Sequence, residues 1–234
     1  MTEKPKITVI GFGKMGQYYA GIFAKGFEVS IVSSRQVDKE AKAIGATRVR
    51  SLAPAIRSSQ YVFLAVPINA LDAIVTRINR YVGADTVVID TCSARLAAER
   101  KLSQLKCRHF GIHGGVFTGK ADPVILEFLE KHERKYESMS AEEHDRLTAT
   151  GLVHFMAIAI DSYLSAGEKQ QLKTGTVGPL FMKIIDHIKQ NSKTTYKETQ
   201  LLNPFMKTRR NEFIKALVEY NKRLDIGEFP FLQQ

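Results

Sequence analysis

Short apolar runs alternate with helix-length amphipathic stretches through the first half of the chain, and the alternation stops near Ser138. Ile7–Ile10, Glu28–Val32, Thr47–Val49, Val87–Asp90 and His109–Ile112 read as strands. Tyr61–Ala65 is apolar throughout, as a parallel strand covered on both faces should be. Between these runs, Gln17–Lys25, Lys39–Ile44, Pro54–Ser58, Asn69–Asn79 and Leu96–Leu105 read as helices. In Asn69–Asn79 the residues Leu71, Ile74, Val75 and Ile78 share one helical face. Strand–helix alternation of this kind predicts an α/β fold with a doubly wound parallel sheet over residues 1–139. From Ser140 onward the period is helical. Ser140-Ala-Glu-Glu143 is a capping box that starts a long helix through His154 to about Leu164. Val177–Gln190 and Tyr196–Leu224 follow, so residues 140–234 are expected to form a smaller all-helical domain. These helices are apolar on several sides and too few to bury one another, which predicts a homodimer through the helical domain.

The first strand runs directly into Gly11-Phe12-Gly13-Lys14-Met15-Gly16, and a helix follows at once. Strand, glycine turn and helix in that order make a dinucleotide-binding fingerprint, and the first domain is expected to be of Rossmann type. Gly11 allows the tight turn, Gly13 lets a pyrophosphate approach the backbone, and Gly16 lets the helix pack on the strand. Free N–H groups at the helix start then face the phosphates. The second strand ends in Val32-Ser33-Ser34-Arg35, with no carboxylate at its tip. An acid there would bind the ribose hydroxyls of NAD and repel a 2′-phosphate. Ser33 and Ser34 can donate to that phosphate and Arg35 can pair with it, so NADP is expected rather than NAD.

Composition narrows the partners. The formal net charge is +10, but Lys and Arg are scattered among Asp and Glu without a basic, aromatic-interleaved block. Nucleic acid is therefore not expected, and the field suits an anionic cofactor or a small anionic substrate. The two cysteines, Cys92 and Cys107, offer neither a disulfide framework nor a metal knuckle. No run approaches the length of a membrane span, and the polar start Met-Thr-Glu-Lys-Pro-Lys has no signal-peptide character. A cytoplasmic protein is expected. No tight His/Cys/Asp cluster is present, and no metal site is expected.

In open parallel sheets ligands bind beyond the carboxyl ends of the strands. Ala65-Val66-Pro67 ends one strand and should wall the nicotinamide side of the crevice. Asp90-Thr-Cys-Ser93 ends another, where Ser93 is either a substrate-orienting hydroxyl or a helix N-cap. Gly111-Ile-His-Gly-Gly115 ends a third. His113, flanked by glycines that let a ligand come near, is the candidate general base. His154 lies within an apolar helix and reads either as a core residue or as one facing the crevice. His109, His132, His144 and His187 have no such context.

The ordered set Ile10–Gly16, Phe63–Pro67, Val88–Ala94, Phe110–Gly115, Ser140–Asp145 and Gly151–Phe155 resembles the prephenate and arogenate dehydrogenases of tyrosine biosynthesis. The likeness spans most of the chain, and Val32–Arg35 looks most like the NADP-using arogenate branch. The resemblance implies NADP-dependent oxidative decarboxylation of arogenate or prephenate. It gives His113 the hydroxyl proton, Ser93 a hold on the same hydroxyl, and His154 a place bordering the substrate, with Gly114 beside it. The chain departs from the family at His113-Gly114-Gly115, where His-Pro is usual, and the segment from His113 to Ser140 looks trimmed. No arginine of the helical domain aligns as a carboxylate grip; Lys173 is the nearest positive group to the expected region, with Arg209 and Arg210 as others. Two alternatives remain. One is a reductase of an imine or a β-hydroxy acid, the latter opposed by the absence of lysine from Thr148 to Asp161. The other is an NADP-binding relative that has lost turnover and acts as a regulator.

Overall fold

The computed structural model describes residues 4–165, 178–190 and 193–228. The chain divides into two compact units, Met1–His144 and Asp145–Gln234. The first opens with β1 (Lys6–Ile10), α1 (Lys14–Phe23), β2 (Glu28–Val32), α2 (Asp38–Ala43), β3 (Thr47–Arg48) and α3 (Leu52–Arg57). It continues with β4 (Tyr61–Leu64), a 3₁₀ turn leading into α4 (Leu71–Ile78), β5 (Val87–Asp90), α5 (Arg95–Leu102) and β6 (Arg108–His113). The sheet order is β3-β2-β1-β4-β5-β6, all parallel, so the strand order reverses between β1 and β4. That reversal opens the crevice in which a doubly wound fold binds its ligand.

Three further elements lie where the sequence suggested a trimmed segment: β7 (Val116–Gly119), α6 (Pro123–His132) and β8 (Glu137–Ser138). β7 pairs antiparallel with β6 and β8 extends the sheet in parallel with β7, so the sheet has eight strands and is not wholly parallel. β7 escaped the pattern because its four residues Val-Phe-Thr-Gly are too short to show a period. The helix α6 has clear local causes. Asp122 caps it by accepting the N–H groups of Val124 and Ile125, and Pro123 occupies its first position.

Alternate residues of the strands feed two cores, one on each face. Ile7, Val9, Phe63, Ile89, Phe110 and Ile112 pack with Tyr19 and Phe23 of α1 and with Ile125 and Leu129 of α6. Val62, Leu64 and Val88 pack with α3, α4 and α5 through Ile56, Val75, Ile78, Ala98 and Leu102.

The predicted helix from Ser140 to Leu164 is in fact two helices, α7 (Ala141–Thr150) and α8 (Leu152–Ser165). Ser140 does start α7, its Oγ accepting the Glu143 N–H at 3.1 Å. The helix stops because Thr150 turns its hydroxyl back to the Leu147 carbonyl and Gly151 follows. The second unit continues with α9 (Gly178–Gln190), α10 (Lys193–Leu202) and α11 (Met206–Asp225). Here too a single predicted helix, Tyr196–Leu224, is broken. Asn203 precedes a proline, accepts the Phe205 N–H at 3.0 Å and donates to the Asp145 carbonyl at 2.7 Å, which holds it outside helical geometry.

Candidate active site

The glycine loop between β1 and α1 separates internal from external demands. Gly11 has φ +93°, and a Cβ there would stand 2.4 Å from the Ala65 carbonyl oxygen. A Cβ on Gly16 would stand 2.2 Å from the Gly11 carbonyl oxygen. Both positions are glycine because the fold leaves no room. Gly13 is different: nothing lies within 4 Å of its Cβ position. It is exposed, it forms the N-cap of α1, and no side chain caps the helix there. The open space at Gly13 and the uncapped helix start are the features a pyrophosphate requires. Lys14 and Met15 flank that space and are exposed. Phe12 joins the loop through its backbone alone, since its ring is 3 % exposed within the core.

Arg35 reaches back from the tip of β2 to this loop. Its Nη2 donates to the Phe12 carbonyl at 2.5 Å, and its backbone N–H donates to Ser33 Oγ at 3.1 Å. Ser34 beside it is exposed. Ala65 closes the other side, its N–H donating to the Ile10 carbonyl at 2.9 Å. Val66 lies against Gly11, and Pro67 beyond it is exposed. Residues Ser33–Arg35 and Ala65–Val66 thus flank one loop.

At the end of β5 a buried pair anchors the sheet. Arg95 grips Asp90 with both arms of its guanidinium, at 2.5 and 2.9 Å, and donates from Nε to Thr118 Oγ1 on β7 at 3.0 Å. The pair is almost wholly enclosed, at 1 % and 0 % exposure. It lies directly beneath Gly111 of β6, whose hydrogen faces the guanidinium. Ser93 is buried in the same turn. The residue at the N-cap of α5 is Ala94, which makes no side-chain bond of its own, and Ser93 stands one position before it. Thr91, between Asp90 and Ser93, has a buried hydroxyl with no hydrogen-bond partner.

His113 ends β6 and pairs across the hairpin with Val116. Gly114 and Gly115 form the two-residue turn, with φ of +62° and +90°. A type I′ turn needs positive φ at both positions, so the turn itself accounts for the glycine pair and for the departure from His-Pro. The imidazole is half-buried, and its Nδ1 lies 3.0 Å from Nε2 of His144, the rings meeting edge to face. The sequence reading set His144 aside. His144 lies within Ser140–Asp145, one of the stretches that resemble the dehydrogenases, but no role was attached to it; on α7 it shares the buried face with Ala141, Asp145 and Ala149, where a histidine reads as core. Arg134 was also missed. Its guanidinium flanks Gly115, held by Glu133 Oε1 at 2.8 Å and by the Tyr18 hydroxyl, with the side chain 55 % exposed.

The remaining predicted residues belong to the second unit. His154 lies on α8 with its ring edge against Tyr196. Its Nδ1 is buried without a partner, and burial lowers its pKa below the usual histidine range, which keeps the ring neutral at pH 7. Arg209 pairs with Glu212, and Arg210 donates to the backbone and side chain of Gln200. Lys173 lies outside the described residues.

Residues 6–94 match a family described as NADP oxidoreductase, coenzyme F420-dependent. The structure superposes on prephenate dehydrogenase from Aquifex aeolicus, solved with hydroxyphenyl propionate and NAD+, with a TM-score of 0.75. That match covers 97 % of this chain and 92 % of the other at 16 % identity. This fold is the prephenate dehydrogenase fold. Synechocystis arogenate dehydrogenase shares it, with a TM-score of 0.71, 19 % identity and coverage of 97 % and 94 %. An imine reductase from Pseudomonas sp. is less alike, with a TM-score of 0.53 over 80 % of this chain and 76 % of its own at 16 % identity. No curated protein matches the sequence itself. Among the described residues no helix is long and apolar enough to cross a membrane.

Proposed function

We propose that the protein is an NADP-dependent dehydrogenase that oxidatively decarboxylates arogenate or prephenate. The observation that supports this most is His113 at the end of β6, in a sheet whose β1–α1 loop keeps an open pyrophosphate cradle at Gly13. A bound NADP supplies the acceptor for the hydride leaving the ring carbon that bears the hydroxyl. His113 accepts the proton of that hydroxyl, the carbon–oxygen double bond forms, and the ring carboxylate departs as CO2. Ser93, buried at the end of β5, helps hold the hydroxyl. Arg134, beside the turn that follows His113, offers a cation to an anionic substrate. The contribution of the fold is alignment and a positioned base. The test is direct: NADP with arogenate or with prephenate should give rising absorbance of the reduced cofactor. Binding of NADP with no turnover of either substrate would overturn the reading in favour of a regulatory relative.

NADP preference rests on Ser33, Ser34 and Arg35. Arg35→Ala is expected to weaken NADP by about tenfold or more and NAD by far less, because one charge-assisted contact to the 2′-phosphate is lost. Isothermal titration with each cofactor checks it; equal loss for both would refute the assignment.

We further propose a homodimer through α11. This helix exposes Ile214, Leu217 and Val218 at 57, 54 and 51 %. An unpartnered apolar stripe of that kind marks an interaction surface. Leu217→Glu should shift the protein from dimer to monomer in sedimentation velocity while leaving its circular dichroism unchanged.

A further inference from the structure

The hairpin of β6 and β7 delivers His113 to α7, where the ring meets a second imidazole. His113 Nδ1 and His144 Nε2 are 3.0 Å apart, and His144 is 5 % exposed. Two facing ring nitrogens at that distance must share one proton: one is N–H, the other a lone pair. Whichever ring donates sets the state of the far nitrogen of His113. If His113 donates from Nδ1, its Nε2 carries a lone pair and is a base. If His144 donates from Nε2, His113 Nε2 carries the proton and cannot take another from a hydroxyl.

We propose that His144 is the positioning residue of the reaction: it accepts the Nδ1–H of His113, fixes that ring in the tautomer with a basic Nε2, and holds its plane. This rests on the reading of His113 as the base. When the substrate hydroxyl gives its proton to Nε2, the oxygen keeps the bonding electrons, and His113 becomes an imidazolium with both nitrogens protonated. Its Nδ1–H stays bonded to the neutral Nε2 of His144, which stabilises the new charge through a charge-assisted bond. Two features of the fold hold this geometry. Ser140 fixes the start of α7, placing His144 one turn in, and the Gly114–Gly115 turn fixes the exit of β6. A carboxylate in the place of His144 would orient the ring as well but would raise its basicity more. An imidazole orients it without a full negative charge beside an anionic substrate.

The experiment uses the full-length protein and three forms: wild type, His144→Gln, which retains an acceptor near Nε2, and His144→Leu, which fills the space without one. Nitrogen-15 shifts of the His113 ring, assigned by their loss in His113→Asn, report the tautomer without any need for turnover. Wild type and His144→Gln should show protonated Nδ1 and bare Nε2, and His144→Leu should show a mixture. In the arogenate and prephenate assays His144→Leu should lower kcat by about ten- to a hundredfold with little change in KM, and His144→Gln should recover most of it. Protonated Nε2 on wild-type His113 would overturn the proposal even in an active enzyme. So would a His144→Leu protein with wild-type tautomer and kcat. An absence of turnover in every form would count against the dehydrogenase reading alone, while the ring shifts would still decide the pairing.

Discussion

Gly111→Ala is expected to cost about 3–5 kcal/mol of stability, the cost of breaking a buried ion pair. A Cβ at Gly111 would lie 1.6 Å from Arg95 Nη2 and 2.1 Å from Cζ. No local adjustment accommodates that overlap, because Arg95 is held by Asp90, by the Cys92 carbonyl and by Thr118. The guanidinium must leave, and Asp90 is then left buried without its counter-charge. The loss is a large share of a typical stability of about 5–15 kcal/mol. Urea unfolding followed by circular dichroism measures it. The cause can be isolated by repeating Gly111→Ala with Asp90 and Arg95 both replaced by leucine. Removing both charges together is far less damaging than removing one, and the added methyl then meets no guanidinium. In that background the same change should cost under about 1 kcal/mol. An equal cost in both backgrounds would mean that the backbone of β6, not the ion pair, rejects the side chain.

The same pair also links the hairpin of β6 and β7 to β5. Asp90 belongs to β5 and Thr118 to β7, so one guanidinium bonds two strands across Gly111 of the strand between them, two residues before His113. None of this was visible in the sequence. Arg95 stands beside the predicted helix Leu96–Leu105 with nothing in its neighbours to mark it as buried, and the parallel register that sets Asp90 against Gly111 helps enclose it. His144 was hidden for a related reason: its partner is 31 residues away across a hairpin whose second strand had no readable period. What was legible was local. The β1–α1 glycine motif, the apolar strands β4 and β5 and the placement of His113 at a strand end follow from nearest-neighbour chemistry and period. The helix breaks at Gly151 and Asn203-Pro204 were also local signals, but the continuing apolar period on either side outweighed them. Gly114 shows the converse. It reads as access for a ligand, and its positive φ adds a second cause, a hairpin turn, that the sequence did not show.

His113→Asn is expected to reduce kcat by about 10²- to 10⁴-fold, the usual contribution of a positioned general base. Asparagine keeps a polar group near the position of Nδ1, so it can still face His144, but it has nothing at the position of Nε2 to take a proton. The fold should therefore survive, and an unchanged melting temperature would show that it does. NADP affinity should change by less than about twofold, since the substitution removes no contact to the phosphates. That separation follows from sheet order. β6 lies three strands from β1, with β4 and β5 between them, so His113 and the glycine loop stand roughly 14 Å apart at the ordinary strand spacing. A base and a phosphate cradle at that separation act on different parts of the bound pair, and the two measurements should come apart cleanly. Turnover that persists in His113→Asn would place the base elsewhere. Loss of turnover together with loss of NADP binding in a folded variant would mean that the ring holds the cofactor rather than the proton.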